Sequence, residues 1–455
     1  MSRDPLLDSG AAALAAALGR GEITSTRATE AYLARVGEHE RRINAFTAVT
    51  AAAAREAAAA SDTRRRRGQT LGPMDGVPIA IKDNIDVAGV PTTAGMALYR
   101  DTVAMEDAPC VAALRAAGMV ILGKTAMPEG ALGATTETAT FGRCNNPLAE
   151  GYTPGGSSGG SGAAVAAGFV PAALGTDTMG SVRVPAAYCG LYGIKPTKGL
   201  VSGRGVVPLS WHYDHVGILA RQLADLAPIL SIAAAPDPRD QDGVQPPTAW
   251  TPFPPAGPSP LRGRRFGVPR QAIEIDLDAE VRVAFDHCTT RLRQAGAIVE
   301  EVAVDGWKPS ETRRAALLVC EAEAFVYHEA ARKLRPDGIA AEFARMLDYG
   351  ASQPASRLVK AARLVGLAAI GFDIAAAGYD AMLMPTTPQR AFRHDAAIPL
   401  NLPDLTAIAN FTGRSAVCLP VAVPGSPLPA SVQLIGPRFG EANLIALGQG
   451  IDEIL

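Results

Sequence analysis

From Gly155 to Ile194 the chain carries only two charged residues, Asp177 and Arg183, in a stretch crowded with glycine, alanine and serine. A run this uncharged folds into the centre of a protein, yet it carries hydroxyls where ordinary core residues would serve. Ser157 and Ser158 stand well upstream of Ser181. Serines set among glycines point to a nucleophile with open backbone N–H groups around it. Glycine also serves in turns and close packing, and the run alone leaves both readings open.

The 455 residues allow one large domain or several ordinary ones, and nearly half are hydrophobic, enough for a sizeable core. Lys plus Arg (43) nearly balances Asp plus Glu (45), which argues against nucleic acid as a partner. The four arginines Arg64 to Arg67 read as a solvated helix end. Six cysteines are scattered without CxxC spacing, which fits a reducing, cytoplasmic location. The N-terminus lacks the apolar core of a secretory signal. The uncharged stretch from Gly151 to Thr176 is broken by Pro171 and reads as a buried helix with loops, so no membrane contact is expected.

The pattern predicts an α/β chain. Helices are expected over 6–18, 24–36 (N-capped by Ser25 or Thr26) and 44–60, forming an N-terminal helical layer over residues 1–60. Short apolar strands are expected at 76–81, 119–122, 170–174, 193–196, 266–269, 298–304, 381–385, 407–411, 416–421 and 431–435. Helices are expected at 107–117, 159–168, 280–295 and 441–455. Helices also dominate 311–378, with a break at Gln353–Pro354. The proline-rich segment 236–260 reads as a surface excursion. Nothing demands a second domain, so 1–455 is taken as one.

Lys82 in GVPIAIKDNIDVAGVPTTAG, the doubled serine in PGGSSGGS and the block DTMGSVRVPAAYCGLYGIKPT together resemble the amidase signature family, and the likeness runs nearly the whole chain. The resemblance implies a central, twisted, mixed β-sheet covered by helices on both faces. It also implies a Ser-cisSer-Lys triad that hydrolyses a carboxamide C–N bond without metal or organic cofactor. By motif position Ser181 is the nucleophile, Ser157 the cis-serine following a cis Gly156 peptide, and Lys82 the base. Backbone N–H groups of Thr178, Met179, Gly180 and Ser181 are expected to form the oxyanion hole. Ser158 is expected to support the triad or the tetrahedral intermediate, and Asp177 and Arg183 to fix the loop. Arg183 is alternatively a reader of an acidic substrate.

A free lysine has a pKa of about 10.4, and a useful base needs one nearer 7. Burial can supply the roughly 4 kcal/mol involved. Asp83 would oppose that shift unless it points to the opposite face of an extended segment. Met179 stands where the family pattern has glycine; it either closes a wall of the acyl pocket or packs inward.

Other polar residues read more plainly. His212 and His215 flank Asp214 in a His-x-x-His pair, but no third ligand is close in sequence, so no metal is expected. In the family resemblance this segment is a structural turn, with His212 able to reach the substrate channel. Lys124–Thr125 is an isolated match to a nucleotide loop, and neither ATP nor NAD is expected. Residues 127–140 read as the mouth of the site, with Glu137 either reading an amine or solvated. Arg390, Arg393 and Arg414 are candidate carboxylate readers, each weighed against a surface role.

The function expected is hydrolysis of a small or medium-sized amide, releasing ammonia or an amine. The alternatives are carboxybiuret-type C–N hydrolysis, the work of a glutamine amidotransferase subunit, or a role as an inactive assembly subunit. The resemblance allows a homodimer and, under the carboxybiuret reading, a small accessory subunit.

Overall fold

The computed structural model describes residues 5–235, 237–254 and 261–455. Eleven strands join one sheet: β1 (Phe46–Val49), β2 (Pro78–Lys82), β3 (Val120–Thr125), β4 (Ala172–Asp177), β5 (Tyr192–Lys195), β6 (His215–Ala220), β7 (Arg265–Pro269), β8 (Ile298–Val302), β9 (Ala381–Pro385), β10 (Ala416–Val421) and β11 (Ala430–Ile435). Their order is β1-β3-β2-β4-β6-β5-β10-β11-β9-β7-β8. Two blocks are parallel, β3-β2-β4 and β9-β7-β8, and the pairs between them are antiparallel. The sheet is therefore mixed and flanked by helices. The strands β2, β3, β4, β6 and β9 are buried at every position, and all of these but β6 read in the sequence as short apolar runs without alternation.

Several sequence expectations change, the helix expected over 6–18 among them, which is two, Pro5–Asp8 and Ala11–Arg20. Residues 44–60 are not one helix: Asn44 ends the helix Ser25–Ile43 in a left-handed conformation, β1 follows, and the next helix spans Ala51–Arg66. The N-terminal region is thus not wholly helical. The cap of Ser25–Ile43 is Thr24, whose hydroxyl accepts from Arg27 N, while the Ser25 N–H goes to Asp62. Ala407–Phe411 is a helix, and His215–Ala220, where no strand is expected, is a central strand that starts just after a turn at residues 211–213. Of the proline-rich segment, residues 237–254 hold only turns and bends, whereas residue 236 and residues 255–260 lie outside the described residues.

The uncharged block owes its place at the centre to glycine. Its short helix, Gly159–Ala166, lies so close to the end of β3 that a Cβ on Gly160 would stand 2.4 Å from the backbone N and O of Ala126.

Candidate active site

Lys82 is the last residue of β2, and Thr176 and Asp177 end the neighbouring parallel strand β4. The site therefore lies beyond the carboxyl ends of parallel strands, where open α/β sheets present their loops. The Gly156–Ser157 peptide is cis. Ser157 sits just ahead of the helix Gly159–Ala166, and its Oγ is 2.7 Å from Lys82 Nζ. Lys82 Nζ also donates to Thr176 Oγ1 at 2.7 Å and approaches the Thr176 carbonyl at 3.4 Å. Asn84 Nδ2 donates to the same Thr176 hydroxyl at 3.2 Å.

Lys82 is fully buried, and burial brings its pKa from the usual lysine value down to about 7, against the opposing pull of Asp214 and Asp177. Asp83 turns away, pairing with Lys124 at 3.1 Å and with the Thr93 hydroxyl. Lys195, also buried, donates to the carbonyls of Pro196 and Arg414. Of these three buried lysines, Lys82 is the one in contact with a serine.

Ser181 follows a loop held from below by Asp177. The Asp177 carboxylate accepts from Gly180 N at 2.7 Å and Val182 N at 3.2 Å, and Arg183 grips it through Nη2 at 2.9 Å and Nε at 3.0 Å. Burial raises the Asp177 pKa, but the adjoining guanidinium outweighs it and holds the carboxyl well below the usual range. Arg183 is fully buried and also donates to Thr406 O, Gln433 Oε1 and Asn410 Oδ1, so it holds structure and faces no open space. Gly180 is pinned as glycine: its φ is 125°, and a Cβ there would meet Thr406 Oγ1 at 2.2 Å.

The engaged Gly180 N–H changes the expected four-donor loop. Among the described residues the backbone N–H groups of Thr178, Met179 and Ser181 have no acceptor, whereas that of Gly180 is taken by Asp177. Ser158 N donates to Ser181 O at 3.1 Å, which ties the two serine segments together. The Ser158 hydroxyl bridges the N–H and C=O of Thr176, so it braces the strand under Lys82.

Ser181, Thr178, Met179 and Gly180 line a cavity of about 180 Å³ with Leu317 and Met346. Residues 131–134 form another wall, in the segment read as the mouth. Met179 does both things the sequence left open: it lines this cavity and packs against a hydrophobic cluster that includes Met127, Leu209 and Tyr213. A larger cavity, about 400 Å³, lies beside Thr176, Asp214 and His215 and does not include Ser181, Ser157 or Lys82 in its lining.

Two neighbours were not singled out by sequence. Asp214, read only as the middle of the histidine pair, accepts from the Thr178 hydroxyl at 2.6 Å and from the N–H groups of Leu209 and Ser210, so it braces the same loop. Asn410, hidden in the misread 407–411 segment, donates to both the carbonyl and the carboxylate of Asp177.

The remaining candidates lie elsewhere. His212 is exposed and pairs with Glu323, while His215 is buried with Nδ1 2.7 Å from Tyr213 O, so the two do not converge. Glu137 pairs with Arg143 across a small hairpin. Arg390 pairs with Glu280, Arg393 with Asp395 and Arg414 with Asp373, and none of the three lines the Ser181 cavity. Arg64 and Arg65 clamp Asp75 at the end of the Ala51–Arg66 helix. Among the described residues no helix is long and apolar enough to cross a membrane.

A family model described as Amidase matches residues 27–445. The chain is 34% identical to a glutamyl-tRNA(Gln) amidotransferase subunit from Symbiobacterium thermophilum, covering 95% of this chain and 94% of that protein. Among solved structures it resembles a chain from a vestigial protein complex that bears on the origins of an s-triazine catabolic enzyme (32% identity, 98% of each chain, TM-score 0.89). It also resembles the peptide amidase of Stenotrophomonas maltophilia (28% identity, 98% of this chain and 96% of that one, TM-score 0.86).

Proposed function

The chain belongs to the amidase family, and from that premise we propose that it hydrolyses the C–N bond of a small or medium-sized linear amide through an acyl-enzyme on Ser181. The observation that carries this reading is Lys82, fully buried with a pKa near 7 and 2.7 Å from Ser157 Oγ. A neutral Lys82 amine donates to the two Thr176 oxygens and keeps its lone pair for the Ser157 proton. As Ser181 Oγ attacks the carbonyl carbon, its proton passes to Ser157 and the Ser157 proton passes to Lys82. The carbonyl oxygen becomes an oxyanion facing the N–H groups of Thr178, Met179 and Ser181. Collapse of the intermediate breaks the C–N bond, and the relay returns a proton to the departing amine. Water then attacks the acyl-enzyme by the same route and releases the acid. Neither metal nor organic cofactor enters this scheme.

The experiment is release of ammonia or amine from an amide panel by the purified protein and its Ser181→Ala variant. Turnover by the native protein that disappears in the variant supports the reading. Undiminished turnover in the variant refutes it.

A second reading follows from curated relatives that are amidotransferase subunits. Under it the chain frees ammonia from an amide for use by a partner. Amide hydrolysis by the isolated chain at full rate favours the first reading, and hydrolysis that appears only with a partner protein favours the second. All six cysteines are buried free thiols, which supports a reducing, cytoplasmic location.

A further inference from the structure

The Ser181 cavity is largely apolar, and among the described residues one charged side chain lines it: Arg313, on the helix Pro309–Leu334. Arg313 is held on two sides. Its Nε donates to Asp404 Oδ1 at 2.9 Å, and its Nη2 donates to the Leu400 carbonyl at 2.8 Å. Asp404 is fully buried, and its other oxygen takes the Ser310 hydroxyl, so the carboxylate is committed to positioning the guanidinium. Nη1 has no acceptor among the described residues. The Arg313 side chain is 13% exposed, so a group that meets it does so largely out of water.

A guanidinium fixed by two partners and open at its remaining nitrogen presents a planar, preorganised donor set suited to a carboxylate. We propose that the acyl part of the substrate ends in a carboxylate read by Arg313, so that the protein acts on ω-carboxylated amides in preference to neutral ones. This rests on the amidase reading, because that reading makes the Ser181 cavity the acyl side. Asp404 offsets the formal charge of Arg313, so recognition comes from directed hydrogen bonds rather than from a bare positive field. A neutral aliphatic acyl chain would cover Nη1 without an acceptor, and sites built to hydrogen-bond reject such analogues strongly.

The test is calorimetric titration of the Ser181→Ala protein with succinamate and with its neutral analogue butyramide. Succinamate is expected to bind about 30-fold or more tighter, and Arg313→Gln should abolish the difference. Because Arg313→Gln leaves Asp404 buried and unpaired, R313Q/D404N is titrated beside it, with unfolding midpoints recorded for both. Equal binding of the two ligands, or a preference that survives in R313Q/D404N, overturns the proposal, as does failure of both ligands to bind. Native-protein kinetics separate the two ideas. Tight, Arg313-dependent binding without any turnover refutes the amidase reading and leaves the carboxylate site standing. Equal kcat/KM on neutral and carboxylated amides does the reverse.

Discussion

Asp177 and Arg183 meet side-on, Nη2 to Oδ1 at 2.9 Å and Nε to Oδ2 at 3.0 Å, with both side chains wholly inside the protein. The same carboxylate holds Gly180 N, so the pair fixes the loop that ends in Ser181. Arg183→Met leaves a buried carboxylate unpaired and should cost about 3–5 kcal/mol in denaturant unfolding. Asp177→Asn in the same chain should recover part of that loss, since it removes the stranded charge. A loss under about 1 kcal/mol for R183M would mean that the pair does not hold the loop.

Under the proposed mechanism Lys82 sets the pH dependence. The base must be neutral to accept a proton, and its pKa lies near 7. The kcat/KM profile should therefore rise with pH, reach half its plateau near pH 7 and fall about tenfold per unit below that. A profile flat from pH 5 to 9 would remove Lys82 from the base role.

Burial of Lys82 also leaves a signature in stability. Between about pH 7 and the ordinary lysine value the folded protein holds this amine neutral while the unfolded chain holds it protonated. The unfolded state then binds more protons, so stability rises with pH in that window, by ~1.4 kcal/mol per unit from this group. Lys82→Met lacks the term. The wild type should gain on K82M by about that slope from pH 7.5 to 9.5 in urea unfolding, and parallel curves would contradict the buried neutral lysine.

Strands buried on both faces are legible because they read as short apolar runs bounded by turns, as in Pro78–Lys82 and Ala381–Pro385. The same signal misleads at Ala407–Phe411, where five apolar-rich residues form a helix that delivers Asn410 to Asp177. Phe46–Val49 is hidden because an alanine-rich helix follows within two residues and absorbs it into one helical pattern. His215–Ala220 is masked by the aromatic and histidine cluster before it, which reads as a turn. Lys82, Ser157 and Ser181 stand in distinctive local motifs. Arg313 does not: it is one of two adjacent arginines on a helix, and only the packing of that helix over the Ser181 loop separates it from Arg314.

Met179 both lines the cavity and packs against neighbours, so its truncation should be felt twice. Met179→Ala should raise kcat/KM for longer acyl chains relative to short ones by about tenfold. It should also lower stability by about 1–2 kcal/mol, less than a fully buried methionine would cost. An unchanged acyl-length profile would place the Met179 side chain outside the acyl path.

Under the proposed mechanism Ser181 forms a covalent acyl-enzyme. The most direct test of this claim is intact-mass and peptide mapping of the protein quenched during turnover of an amide, with hydroxylamine present in parallel to trap the acyl group as a hydroxamate. The predicted result is an acyl adduct on the peptide containing Ser181, hydroxamate formation, and loss of both in Ser181→Ala while Ser157→Ala slows them. An adduct that persists in the Ser181→Ala protein, or undiminished hydrolysis by it, would contradict the claim.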